Sequence, residues 1–199
     1  MKNSLKNEYI VSRYRQDITW LDDYTDHYVL YDRSETPIEG AIVVPNIGSD
    51  LHDKFSYIVD NYDNLPEVGI YTKANLFKFI SKQEFDKLKD NKVFTPLLTM
   101  NHKTYMPVCF YQEDIYWELN NLWFLGMHPA KDPMELQSFL GISNMKYLPF
   151  APGSNYILPK ANILKHAKEF YQKLISYIDY DVYPGECHIV ERALYTLWK

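Results

Sequence analysis

Short apolar runs of strand length recur along the first half of this chain, with helical stripes between them. "EYIVSRY" (Glu8–Tyr14), "HYVLYD" (His27–Asp32), "AIVVPN" (Ala41–Asn46) and "VGIYT" (Val68–Thr72) are rich in β-branched and aromatic residues and predict strands. Pro45 ends the third, because proline has no N–H to give a central ladder. Leu51, Phe55, Ile58, Val59 and Tyr62 then recur at helical spacing, and Asn64-Leu65-Pro66 stops that helix. Asp17 is placed to cap a turn or two of helix over "QDITWLDDY", and Ser81 with Glu84 forms a capping box.

In the second half, Asp132 as cap, Pro133 at the first helical position, Glu135 in the first turn and Gly141 as stop predict a short helix. "NYILP" predicts a short strand. "KANILKHAKEFYQKLISYI" predicts one long helix whose buried stripe is Ile163, Ala167, Phe170, Tyr171, Leu174 and Ile178, and a closing helix begins at Pro184. The aromatic stretch from Thr104 to Ala130, broken by Pro107 and Gly126, fits strands and loops equally.

Alternating strands and helices predict an α/β fold: one domain over residues 1–199, with a mostly parallel central sheet flanked by helices. Ligands of such sheets lie beyond the carboxyl ends of the strands. That rule puts Arg13 and Tyr14, Asn46 to Gly48, and Lys73 to Asn75 on one rim, since each group follows a strand.

Composition narrows the function classes. The net charge is -5 and no basic tract stands out, so a nucleic-acid partner is not expected. The two cysteines, Cys109 and Cys187, are far apart, which predicts no disulfide and a reducing, cytoplasmic setting. The N-terminal stretch lacks the apolar run of a signal peptide, and no run approaches the roughly 20 apolar residues of a membrane span. The seven glycines spell no GxGxxG and no P-loop, and the six histidines no HExxH. A nucleophile elbow is likewise missing. Asp179-Tyr180-Asp181 has the form Asp-x-Asp, but it falls between the last two predicted helices and reads as a solvated turn.

Two stretches carry a resemblance: "PNIGSDLHDKFSYIVDNYDNLPEVGIYTKAN", and the C-terminal run from "PGSNYILPKANILKHAKEFYQKLI" to "YPGECHIVERALYTLW". Together with "IVSRYRQDITWL" they resemble an uncharacterised domain family grouped with the GT-A glycosyltransferases. The shared features are an acidic-x-x-Trp-Leu segment from Asp17, a Pro-Asn-x-Gly turn, and a Pro-Gly-small-Asn-Tyr-Ile strand from Gly153 to Ile157. A Glu-x-x-x-x-Glu-Arg helix with Glu186, Glu191 and Arg192 completes the set. The outer thirds of the chain match; the middle does not.

The resemblance implies a transferase that moves a sugar from a nucleotide-sugar donor to a glycan or other hydroxyl acceptor. It implies donor-binding roles for Arg13, Tyr14, Asp17, Asn46, Gly48, Lys73 and Asn75, and acceptor-binding roles for Gly153, Ser154, Asn155 and Arg192. GT-A enzymes carry a metal-binding Asp-x-Asp after the strand that here ends at Thr72, where this chain has Lys73-Ala74-Asn75. No metal ligand is therefore expected, with Mn²⁺ or Mg²⁺ left as an alternative cofactor. Lys73, Arg13 and Arg192 are the cations that could meet a leaving diphosphate. For the catalytic base there are two carboxylates. Glu186 follows the Pro184-Gly185 turn, where some metal-independent GT-A enzymes carry their base; its other reading is a first-turn partner of the helix dipole. Glu191 lies about 140° round the same helix, so only one of the two faces a given substrate. Neighbouring Cys187 and His188 point about 100° apart and form no nucleophilic dyad. Two other readings stay open: a non-catalytic carbohydrate- or nucleotide-binding module, and a hydrolase pairing Glu186 with Asp50 or Asp114.

Overall fold

The protein was analysed as a computed structural model that describes residues 7–99, 110–112, 115–119 and 122–199. The four early runs form β1 (Glu8–Arg13), β2 (Tyr28–Asp32), β3 (Ile42–Val43) and β4 (Val68–Lys73), all parallel. Two antiparallel strands extend the sheet: β9 (Tyr156–Pro159) on β4, and the short edge strand β5 (Thr95–Pro96) on β9. The order is β3-β2-β1-β4-β9-β5. A smaller antiparallel sheet holds β6 (Phe110–Gln112), β7 (Ile115–Trp117) and β8 (Pro149–Phe150).

Both faces of the central sheet are covered, and strand alternation sorts the side chains between them. Ile10, Tyr31, Tyr71, Tyr156 and Leu158 enter the larger core, beneath α1 (Ser49–Asp60), α6 (Lys168–Ile178) and α7 (Gly185–Trp198). Tyr9, Val11, Leu30, Ile70 and Ile157 enter the smaller core on the other face. There they meet the 3-10 helices Thr19–Asp23 and Leu76–Lys78 and α2 (Lys82–Leu88). Trp20, Tyr24, Phe77 and Phe85 interlock edge to face in that core. α7 is buried nearly all round, packed against α6, β8, α3 (Trp123–Met127) and α4 (Pro133–Phe139).

The capping box at Ser81 and Glu84 forms in full. Other expectations are corrected. The third strand shrinks to Ile42–Val43, whose side chains are exposed at the sheet edge. The long helix over 160–178 is broken into α5 (Lys160–Ile163) and α6, with Ala167 as the N-cap of α6 and exposed rather than on the stripe. His166, stacked on Phe170 and bonded to the Leu197 carbonyl, occupies the break. Asp132 stands at the N-cap of α4, but its side chain makes no cap bond. In the middle stretch, β6, β7 and α3 are formed; Thr104 to Cys109 and Asp114 lie outside the described residues.

Candidate active site

The strand order reverses direction between β1 and β4: the chain runs outward through β2 and β3, then returns to β4 on the far side of β1. Ligands of α/β sheets sit at such a switch point, beyond the carboxyl ends of the strands. Here that point holds a charged cluster centred on Asp50, which is 2% exposed. Asp50 Oδ1 receives Lys73 Nζ at 3.0 Å and the Ser49 hydroxyl at 2.9 Å. Oδ2 receives the Ser154 hydroxyl at 2.5 Å and the ammonium of fully buried Lys54. Burial acts against the Asp50 anion, but Lys54 and Lys73 outweigh it and hold its carboxyl far below the usual range. Burial also acts to lower the Lys73 ammonium, yet Asp50 and then Glu191 raise its pKa above the ordinary lysine value. The Lys73 side chain keeps 21% exposure, and its ammonium lies between Asp50 and the Phe79 ring.

Backbone strain concentrates at the same rim. Among the described residues, the non-glycine residues with positive φ are Arg15 (66°), Ser49 (57°) and Ser154 (54°). Each follows a strand's carboxyl end or precedes β9 there, and the two serines both donate to Asp50. Left-handed backbone at a non-glycine residue costs about 1–3 kcal/mol and persists only where surrounding contacts enforce it. Gly48 and Gly153, just before the serines, are left-handed as well. A Cβ on Gly153 would come within 2.5 Å of the Phe79 ring, so only glycine lets the chain pass there. The N–H groups of Gly48 and Ser49 are taken by the carbonyls of Asp181 and Val182, so the Asp179–Asp181 turn seats the start of α1.

The neighbouring groups are tied as firmly. Asn155 Oδ1 accepts the Lys73 N–H (2.8 Å) and the Thr72 hydroxyl (3.0 Å). Arg13 is held by Asp32 at 2.5 Å, Ser34 at 3.0 Å and the Gln16 carbonyl at 2.8 Å. Trp20, of the acidic-x-x-Trp-Leu segment, donates to the Ala74 carbonyl at 2.8 Å and so joins the loop after β1 to the end of β4. Asp53 is buried 3.1 Å from Arg33; burial pushes its carboxyl up to about 7 against the pull of that guanidinium. A cleft of about 420 Å³ opens beside the end of β1, lined by Arg13, Arg15, Asp17, Thr19, Tyr28 and Ile38 among others.

The structure therefore gathers Gly48, Lys73, Gly153, Ser154 and Asn155 around Asp50 and places Arg13 and Asp17 on the adjoining cleft. Asp17 spends both oxygens on Thr19, on its N–H at 3.2 Å and its hydroxyl at 2.6 Å. Tyr14 meets Glu35 at 3.3 Å and lies under Arg15; Asn46 and Asn75 are partly exposed on the same edge.

The two carboxylates of α7 divide in the opposite way to the expectation that Glu186 faces a substrate. Glu186 is fully buried. Its Oε1 accepts the N–H groups of Lys131 (2.7 Å) and Asp132 (2.8 Å), and its Oε2 the Tyr180 hydroxyl (2.6 Å). It holds the loop entering α4 and has no free face for a ligand. Glu191 is half-buried, accepts the Gly153 N–H at 2.9 Å and acts electrostatically on Lys73. Arg192 also leaves the expected site: it is buried against Glu118, donates to the His188 carbonyl at 3.1 Å and lies between the Phe124 and Phe150 rings. Cys187 is a free thiol in the core.

Sequence reasoning missed Lys54, Asp53, Asp32 and Arg33 as members of this region. The one available signal was the four-residue spacing of Asp50 and Lys54 on a helix. A divalent metal does not fit the residues present. After β4 the chain offers a lysine and an amide, both oxygens of Asp50 are occupied, and among the described residues no three His, Cys, Asp or Glu side chains converge. Among those residues, no helix is long and apolar enough to cross a membrane. Comparison with protein families, with curated proteins and with solved structures found no match to this chain.

Proposed function

We propose that the protein is a metal-independent transferase acting on a nucleotide-sugar donor, with its centre at Lys73 and Glu191. The observation that carries the reading is the partly exposed side chain of Lys73, its ammonium fixed on Asp50 at the point where the strand order reverses. Two strained Gly-Ser steps hold Asp50 in turn, as expected of a preorganised site. Of the three cations set beside Asp50, Asp53 and Glu191, Lys73 is the most exposed, at 21% of its side chain against 11% for Arg33 and 0% for Lys54.

In this reading the diphosphate lies at the rim against Lys73, and the nucleoside extends into the cleft beside Arg13 and Arg15. The acceptor hydroxyl attacks the anomeric carbon and gives its proton to Glu191. The bond from that carbon to the diphosphate oxygen breaks, and Lys73 meets the charge left on that oxygen. Ser154 and Asn155 act through position: one fixes Asp50, the other the backbone of Lys73.

The test is thermal stability of the full chain with UDP-, GDP-, ADP- and dTDP-sugars, with and without EDTA. A donor at 100 times its Kd stabilises by about 2.7 kcal/mol. The expected result is stabilisation by one nucleotide class, unchanged by EDTA and largely lost in Lys73→Ala. Loss of the effect in EDTA, or no stabilisation by any donor at millimolar concentration, sinks the proposal. Tight binding without transfer to any acceptor would favour the binding-module reading.

A further inference from the structure

We infer that the acceptor carries a neutral, apolar body, and that a cavity beside the edge strand β5 receives it; the inference rests on the transferase reading above. The cavity is a half-open recess of about 360 Å³, walled by Pro96, Leu98, Ile115, Phe150, Ala151 and Tyr195, with α2 on the far side. Small-molecule sites fall in the range of about 300–1,000 Å³ and are mostly apolar with few polar groups. Its charged neighbours do not ask for a charged occupant. Glu84 turns its Oε2 to the hydroxyls of Ser81 (2.7 Å) and Thr99 (2.5 Å), and Lys87 is exposed to solvent.

Position links the cavity to transfer. Ala151 stands just before Gly153, whose N–H binds Glu191. Tyr195 lies one helical turn beyond Glu191, on the same side of α7. Two of its lining residues are thus near neighbours in the chain of Gly153 and Glu191. The cleft with Arg13 and Arg15 opens on the other flank of the cluster, by β1 and β2. Along the rim the order is cleft, charged cluster, then β9 and the cavity at β5. Transfer needs the two substrates brought to one carbon in a fixed relative orientation, and two recesses flanking Lys73 and Glu191 supply the two approaches. A glycan, rich in hydroxyls, would leave its polar groups unpaired against these walls. An aromatic or aliphatic alcohol would not.

The probe is 2-naphthol, a neutral aromatic alcohol, titrated calorimetrically into the full chain. The expected result is saturable one-to-one binding, weakened at least about tenfold by Ala151→Phe and by Leu98→Trp, which fill the cavity. Leu98 is only partly buried, so its variant keeps the test valid where Ala151→Phe does not fold. Donor binding serves as the separate arm: UDP-glucose, or whichever donor stabilises the parent, should bind both filled variants as it binds the parent. Absence of naphthol binding, or equal binding to both folded variants, overturns the cavity assignment even when a donor binds. Naphthol binding lost on filling, in a protein that binds no nucleotide sugar, overturns the acceptor role and the transferase reading together.

Discussion

Glu186→Gln and Glu186→Ala separate a structural carboxylate from a catalytic one. In the parent, Oε1 accepts two backbone N–H groups and Oε2 accepts from Tyr180, whose hydroxyl also lies 2.9 Å from the Pro129 carbonyl. Glutamine keeps an oxygen for the two N–H groups. Its amide can donate to the Tyr180 oxygen while the tyrosine turns its proton to Pro129. Only charge assistance is lost, about 1 kcal/mol. Alanine leaves the Lys131 and Asp132 N–H groups without their acceptor, while the Tyr180 hydroxyl keeps the Pro129 carbonyl. At about 1–3 kcal/mol for each unsatisfied group, with partial relaxation, the cost is about 2–4 kcal/mol. For a chain of this size each kcal/mol moves Tm by about 2–4 °C. Glutamine should therefore lower Tm by about 3 °C and alanine by about 9 °C, with turnover per folded molecule preserved in both. Glu191→Gln is the contrast: a small change in Tm, and a rate loss of about 10²–10⁴ from removing the base. Thermal unfolding beside single-turnover transfer reads all three. The reasoning is refuted if Glu186→Gln transfers slowly at near-parental Tm while Glu191→Gln transfers at the parental rate.

Two further outcomes follow from the same geometry. Gly153→Ala should destabilise by at least about 2 kcal/mol, because φ is +96° and the added Cβ meets Phe79; urea denaturation measures the loss, and a neutral result would show that the chain can shift at this point. Asp53, pushed up to about 7 in the fold against 3.8 in an unfolded chain, ionises first when unfolded. Its contribution is thus present below about pH 4 and is lost as pH rises towards 7, by at most about 4 kcal/mol. Asp53→Asn should flatten the fall in Tm between pH 5 and pH 7.5, and an unchanged slope would assign it to other groups.

The strands at Glu8, Tyr28 and Val68, the α1 helix, the Ser81–Glu84 box and the shared rim of Arg13, Gly48 and Lys73 were legible because they depend on local periodicity, turn chemistry and strand direction. Local pattern also read the 160–178 helix, yet tertiary contacts overrode it: His166 leaves the helical path to stack on Phe170 and bond the carbonyl of Leu197, distant in the chain. The roles of Glu186 and Glu191 lie at the same limit. Helix geometry separates their directions, but only the packing of α7 decides which direction meets the α4 loop and which meets Gly153. Asp50 is the sharpest case. By composition it is one acidic residue at a helix start. Its burial depends on Ser154, 104 residues away, and on Lys73 at the end of another strand. A buried charge survives only when its partners converge in space, and no sequence window contains that convergence.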